Sequence, residues 1–377
     1  MKKSDIKRVL VISHLYPGNP QSKNPLSGIY VYDQISAISK RVEVDVLIPL
    51  SIVPRLKELK QYKGKLSRTI TDRIKYSPEN AGSVKYFSIS NKHFDAFFIF
   101  ISILLTKNQD YDIIHCHTMF PDGLAGMMLS NLTRKPFVVT IHGSEMMFID
   151  EHPIDRALSY FILRRAKRVI SVSELMKKKI LEITKNKSNA VVIRNGIKEM
   201  FPLAQKENVI LFAGKLIPVK DPEMLIDSFS IFVKKHDDYK LIIAGDGELR
   251  SRMESKIKEL KLESKVHLKG FVGRREIMDL FSKASVLAIT SLSEGFPTVI
   301  YESFSSGTPI VSFDAGGVKE AVTDDENGYI VKERSADSFA YYLDRAVSKD
   351  WDREKIREQA KLFLWENLSE NIIQTYK

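Results

Sequence analysis

The sequence predicts two doubly wound α/β domains in tandem, and three observations predict it. The chain has 377 residues, which suits two domains of ordinary size better than one. Short apolar runs alternate with amphipathic stretches along most of it, the pattern of a parallel sheet covered by helices on both faces. The alternation pauses once, around 195–208, in a polar stretch carrying Pro202, and then starts again.

In the first series, buried strands are expected at Arg8–His14, Val42–Pro49, Val84–Ser88, Tyr111–His115, Phe137–Ile141, Arg168–Val172 and Ala190–Ile193. Helices fit between most of them, for example Tyr30–Lys40, Asp122–Asn131 and Pro153–Ala166. The second series places strands at Val209–Ala213, Lys240–Ala244, Val266–Leu268, Val286–Thr290, Pro309–Phe313 and Gly328–Val331. Its helices include Pro222–Lys235, Glu248–Leu260 and Thr298–Ser306. The tail Trp351–Lys377 reads as one or two helices with Trp365, Leu368, Ile372 and Ile373 on one apolar face. The expected division is 1–200, 201–355 and a final helix at 356–377 that crosses back to the first domain. In doubly wound sheets ligands sit beyond the carboxyl ends of the strands, so two such domains are expected to face a central cleft.

Composition narrows the class. Hydrophobic residues make up 44% and charged residues 28%, the balance of a soluble globular protein. The single cysteine, Cys116, cannot form an internal disulfide. The apolar segment Val9–Ile12 is too short for a signal-peptide core. The longest apolar run, Phe94–Leu105, contains Asp95 and falls short of the ~20 residues that span a bilayer. The expected setting is cytoplasmic, with no spanning segment.

The net charge of +11 is unevenly placed. Residues 1–200 hold 32 Lys+Arg against 18 Asp+Glu, and residues 201–377 hold 26 against 29. The excess is densest from Arg55 to Lys75, with eight basic and two acidic residues. An anionic partner for the first half is implied: lipid headgroups, a phosphate-linked acceptor or nucleic acid. Nucleic acid fits least, because the basic region lacks interleaved aromatics and a recognisable binding fold. Together with Phe94–Leu105, the basic cluster suggests peripheral attachment to an anionic membrane surface.

The segment with most chemistry is Ser293-Glu-Gly-Phe-Pro-Thr-Val-Ile-Tyr-Glu302, between a strand and a helix expected near Thr298. Gly295 permits close backbone approach, and Pro297 suits a first helical turn. Backbone N–H groups at Phe296, Thr298 and Val299 would form an anion site at the helix start. Glu294 and Glu302 flank it, and a carboxylate can accept two hydrogen bonds from a diol. Such a combination suits a sugar joined to a nucleotide through a diphosphate.

This segment resembles the paired-glutamate motif of retaining glycosyltransferases of family 4, which have the two-domain GT-B fold. The following turn, Asp314-Ala-Gly-Gly-Val-Lys-Glu320, resembles the glycine pair of that family. The resemblance covers nearly the whole chain and is strongest from about 205 to 335. It implies an acceptor-binding first domain, a nucleotide-sugar-binding second domain and hexosyl transfer with retention of configuration. Phe212-Ala-Gly-Lys-Leu-Ile-Pro-Val-Lys220 places Gly214 at a strand end, with Lys215 and Lys220 implied on the diphosphate. Lys215 stands where the family has Arg, keeping the charge without bidentate geometry. Gly245, in Ala244-Gly-Asp-Gly-Glu248, and Val272, in Lys269-Gly-Phe-Val272, are implied at the donor, Val272 through its main chain beside the base. Phe271 reads equally well as a core aromatic.

In the first half, Ser27-Gly28-Ile29 stands where the family has paired glycines, which implies phosphate contact from the Gly28 and Ile29 N–H groups. The Pro/Asn-rich loop 16–26 before it suits acceptor choice. His142-Gly143 resembles the family's cleft histidine beside the reacting sugar, in an orienting or polarising role. Glu145 stands where Asp is common. His115-Cys-His117 invites a metal reading, but no nearby acidic or cysteine ligand completes a site. No cofactor is expected, and the lysines with the helix start would stabilise the leaving diphosphate without a metal. Asn195-Gly196-Ile197 is assigned to architecture.

Ser13-His-Leu-Tyr-Pro-Gly and Gly28-Ile-Tyr-Val-Tyr resemble bacterial enzymes of surface-polysaccharide assembly, which implies a lipid-linked or oligosaccharide acceptor. Two other readings share the architecture. A nucleotide-sugar epimerase needs no acceptor, which leaves the basic first half unexplained. A non-catalytic sugar-nucleotide binding protein has no need of the full set of phosphate and diol residues.

Overall fold

The computed structural model describes residues 6–16, 28–50, 81–88, 110–143, 146, 149 and 153–377, with side chains except at 48–50 and 81–88. The loop 17–27 with Ser27, the basic cluster Arg55–Lys75, the apolar run Phe94–Leu105 and Glu145 lie outside the described residues. The chain forms two compact units, Met1–Arg194 with Trp365–Lys377, and Asn195–Leu364.

The first unit is a seven-stranded parallel sheet. In chain order its elements are β1 (Arg8–Ile12), α1 (Ile29–Ser39), β2 (Glu43–Leu50), β3 (Ala81–Ser88) and β4 (Ile113–Cys116). Then come α2 (Leu124–Thr133), β5 (Phe137–Ile141), α3 (Pro153–Arg165), β6 (Arg168–Ser171), α4 (Glu174–Ile183) and β7 (Ala190–Val192). The spatial order is β3-β2-β1-β4-β5-β6-β7, so the direction of winding reverses between β1 and β4. Strands β4 and β5 are buried throughout, which is why they read as apolar runs interrupted only by His115 and Thr140. The Ser173 hydroxyl accepts the Met176 N–H and starts α4.

The second unit is a six-stranded parallel sheet in the order β10-β9-β8-β11-β12-β13, with its reversal between β8 and β11. It runs β8 (Glu207–Ala213), α5 (Pro222–Phe232), β9 (Lys240–Ala244), α6 (Arg250–Glu259), β10 (Val266–Gly270), α7 (Arg274–Lys283) and β11 (Ala284–Ile289). It continues with α8 (Val299–Ser305), β12 (Ile310–Phe313), β13 (Gly328–Val331), α9 (Ala336–Ser348) and α10 (Arg353–Lys361). The Asp221, Ser335 and Asp352 side chains each accept the N–H three residues on, capping α5, α9 and α10. Phe229 and Phe232 of α5 share one core with Phe339 and Leu343 of α9 and with Ile210, Leu241 and Val311 of the sheet. The last helix, α11 (Trp365–Tyr376), belongs to the first unit and packs on α1.

All the expected strands are present, and the differences lie at element ends. β3 starts three residues earlier than its apolar run, because main-chain pairing with β2 already takes in the small residues Ala81 and Ser83. α2 starts at Leu124, not Asp122, because the chain first makes a wide turn at Met119–Gly123 that points Asp122 inward. α8 starts at Val299, so Pro297 stands before the helix. The expected boundary at 356 falls instead between Leu364 and Trp365. Ile356 and Ala360 of α10 are buried, and α10 packs on α8, which keeps it in the second unit. Asn195-Gly196-Ile197 begins that unit, and Ile197 donates its N–H to Phe363 O (2.8 Å).

Candidate functional site

Both sheets carry their polar residues where the winding reverses, at the carboxyl ends of adjacent central strands. In the second unit, the loops after β8 and β11 are joined by main chain and side chain together. Leu292 N–H donates to Val219 O (2.8 Å), and the Thr290 hydroxyl to Lys220 O (3.1 Å). The Lys220 ammonium then pairs with Glu294 Oε1, and the Ser291 hydroxyl donates to the same oxygen at 2.5 Å. Glu294 is only 10% exposed at its side chain, so the pair is largely shielded from water. Arg334 donates to the Thr290 and Ser291 carbonyls and to Asp221 Oδ2 at 2.8, 3.2 and 2.6 Å.

Glycines bring two further loops close. The Gly317 N–H lies 3.3 Å from Glu294 O, and a Cβ on Gly316 (φ 65°) would sit 2.3 Å from that carbonyl. The glycine pair after β12 thus lets the Glu294 main chain approach. Gly245 (φ 151°) does the same after β9, where a Cβ would lie 1.8 Å from Gly214 O. Gly214 N–H donates to Ala244 O and Gly245 N–H to Gly270 O, which ties the ends of β8, β9 and β10 together.

The structure therefore assembles Lys220, Glu294, Gly214 and Gly245 at one end of the sheet. Lys215 is exposed, and among the described residues it forms no ion pair. The Phe296 and Pro297 side chains are buried, Phe296 stacking on Tyr301 at 5.3 Å, so any role at a ligand falls to the main chain. Thr298 and Val299 are half-buried at the start of α8, and Thr298 O accepts from the Tyr301 and Glu302 N–H groups. Glu302 is half-buried on α8. Val272 is buried after β10, whereas Phe271 is 41% exposed, which excludes the core-aromatic reading. Sequence reasoning missed Ser291 and Arg334. Ser291 had a local signal, three residues before Glu294, but Arg334 comes from a loop with none.

In the first unit, imidazoles gather at the ends of β1, β4 and β5. His117 Nδ1 lies 3.3 Å from His142 Nε2, with the rings nearly parallel. His115 stacks on His117 and is held by the Tyr376 hydroxyl at Nδ1 and the Thr140 hydroxyl at Nε2, each at 2.7 Å. Burial, and then His142, holds the His115 pKa down to about 3. Burial also pushes His117 well below the usual imidazole value, with the neighbouring imidazoles adding to the effect. Both are neutral rings at neutral pH. Both His115 nitrogens are taken by hydroxyls and His117 Nδ1 faces His142, while the buried His117 Nε2 has no hydrogen-bond partner among the described residues. Among the described residues no group of three His, Cys, Asp or Glu is arranged to hold a metal.

Gly28 (φ 76°) is the N-cap of α1, and Tyr30, just after Ile29, sets its ring edge-on to His142 at 5.0 Å. The structure thus brings Gly28 and Ile29 to the same end of the sheet as His142. Asp122 was not anticipated as a site residue. Fully buried, it accepts the His14 N–H (3.2 Å) and the Thr118 hydroxyl (3.1 Å), and its Oδ2 meets His14 Nδ1 at 3.1 Å.

Known proteins match both units. Residues 27–199 match the Glycosyltransferase Family 4 domain, and residues 194–363 match the Glycosyl transferases group 1 domain. An uncharacterised glycosyltransferase of Methanocaldococcus jannaschii is 30% identical over 77% of this chain and 82% of its own length. An alpha-1,4-N-acetyl-D-galactosaminyltransferase of Campylobacter jejuni, whose name specifies an undecaprenol-diphosphate-linked acceptor, is 33% identical over 42% of this chain and 43% of its own. Sucrose-phosphate synthase of Thermosynechococcus elongatus superposes with a TM-score of 0.78 at 18% identity, covering 98% of both chains. Anabaena HepE, solved with UDP and glucose, gives 0.74 at 18% identity, covering 98% of this chain and 99% of that one. The fold is GT-B, and the chain belongs to glycosyltransferase family 4.

Proposed function

We propose that this glycosyltransferase moves a hexose from a nucleotide-diphosphate sugar to a lipid-linked or oligosaccharide acceptor, with retention of configuration and without a metal. The setting is bacterial surface-polysaccharide or glycolipid synthesis at the cytoplasmic face of the membrane. The observation that carries this reading is the Lys220–Glu294 pair at the reversal point between β8 and β11. A cation beside a shielded carboxylate, at the end of a doubly wound sheet, suits a ligand that is both diphosphate and polyol. UDP and glucose bound to Anabaena HepE, and the diphospholipid acceptor in the name of the Campylobacter enzyme, support the same classes.

Negative charge builds on the diphosphate as it leaves. Lys220 and Lys215 stabilise it, together with the N–H groups that open α8. Donor binding divides the existing pair between two parts of one ligand. Sugar hydroxyls take Glu294, and the diphosphate takes a share of Lys220. Glu302 holds the ribose diol. Val272 lines the base through its main chain, and Gly214 and Gly245 let the backbone come close. In the first unit Gly28 and Ile29 contact phosphate, and His142 orients the reacting sugar.

The test is a thermal-shift screen of nucleotide sugars, followed by nucleotide-release assays with and without lipid-linked acceptor. A donor should raise the melting temperature by mass action, and its turnover should require acceptor. Turnover without any acceptor, yielding an isomerised donor, would establish an epimerase instead.

A further inference from the structure

One surface of the first unit has features that sugar transfer does not use. α3 buries Asp155, Ser159, Ile162 and Leu163 against its own domain. On its outer side Ile154 is 72% exposed and Phe161, two turns on, is 53% exposed. Leu132, in the last turn of α2, is 56% exposed. Arg165 donates to Asn131 Oδ1 (2.6 Å), which fastens the end of α3 beside the end of α2. Exposed apolar side chains of this size, unlike singly scattered ones, mark a contact surface when they line one helix face.

The charge around them has one sign. Residues 124–135 and 153–168 contain seven Arg+Lys and a single acid, Asp155, which is buried. Arg164 donates to the Tyr160 hydroxyl (3.0 Å) and Arg165 to an amide, so both keep their full charge. Among the described residues, Arg134, Arg164, Arg165 and Arg168 form no ion pair. No described helix is long and apolar enough to cross a membrane, so any attachment made here is lateral.

We propose that the outer face of α3, with the end of α2, docks the enzyme on an anionic lipid bilayer. Ile154, Phe161 and Leu132 enter the interface, and the arginines bind lipid phosphates around them. Charge complementarity selects this occupant. Ile154 and Phe161 share one helix face with Arg164 and Arg165 just beyond them and Arg134 just beyond Leu132, whereas a protein partner needs a larger packed centre depleted of charge. The inference builds on the membrane-borne acceptor proposed above. It assigns attachment to α3 in addition to whatever the Arg55–Lys75 cluster contributes.

The full chain should co-sediment with vesicles of phosphatidylglycerol and phosphatidylcholine, and not with phosphatidylcholine alone. Binding should fall steeply with salt. Arg164→Glu with Arg165→Glu should weaken it by roughly thirtyfold or more, since each basic residue near the surface is worth about fivefold. Ile154→Ser with Phe161→Ser should weaken it comparably, and neither change should alter the nucleotide-sugar thermal shift. Unaltered vesicle binding in both double variants would overturn the assignment. So would a lipid-free dimer in light scattering that Phe161→Ser dissolves, since that makes the face a contact between copies. Vesicle binding that depends on α3, with transfer only to soluble acceptors, would uphold this face and remove the lipid-linked acceptor.

Discussion

Lys220 and Glu294 are 74 residues apart and share a contact that a third residue completes: Ser291 donates to the same carboxylate oxygen that receives the ammonium. The lysine is held on this carboxylate. A cation held on a shielded carboxylate is pre-oriented, the arrangement that the proposed diphosphate would meet.

The two residues should therefore behave as one unit. Lys220→Met and Glu294→Gln should each lower transfer by about a hundredfold or more. The double variant should lose far less than the product of the two losses, because each single change disables the other partner. Independent, multiplying losses in kcat/KM would show that the pair is not a functional unit.

Glu302→Ala should weaken donor binding by about 1.5–3 kcal/mol for each charge-assisted hydrogen bond lost to the ribose. Glu302 is half-buried in the first turn of α8. Calorimetry with the best donor gives the value directly, and unchanged affinity would remove Glu302 from the site.

Lys215→Ala should reduce turnover with little effect on folding, since Lys215 is exposed. Transfer should also persist in EDTA on the proposed assignment of that charge to the lysines. Loss of activity in EDTA, restored by a divalent ion, would reassign that role to a metal.

Stability should depend on pH through the buried imidazoles. His115 is held down to about 3 in the folded protein, against 6.5 when unfolded. Below about 6.5 the unfolded chain takes up a proton that the folded one refuses. Its contribution is thus fully present above that pH and is lost as pH falls toward 3, by about 1.4 kcal/mol per unit. Urea unfolding at pH 7 and pH 5 should give a steeper loss for the native protein than for His115→Asn. Equal slopes would mean that His115 is not buried as a neutral ring.

The alternation of apolar runs reports burial of each strand on both faces, so every strand from β1 to β13 was visible, and errors fell at ends where backbone pairing outruns apolar side chains. The proposed pair Glu294 and Glu302 is legible as a motif because a strand-to-helix turn keeps both within ten residues. The glycines were visible as a pattern, although only the structure shows what presses on them: Glu294 O at Gly316 and Gly214 O at Gly245.

The sequence by itself determined the fold class, through the periodicity of its apolar runs, and the family, through the resemblance of its motifs; it also supplies the side chains proposed for sugar transfer. Tertiary structure decided which of those side chains meet. Strand order places β8 beside β11, and only that juxtaposition turns Lys220 and Glu294 into a pair. The passage of α11 into the first unit likewise carries Tyr376 across 261 positions to His115. Asp122 reaches His14 across 108 in the same way. A hydrogen bond depends on separation in space, and in a doubly wound sheet neighbours in space are set by the order of strands, which no local stretch of sequence encodes.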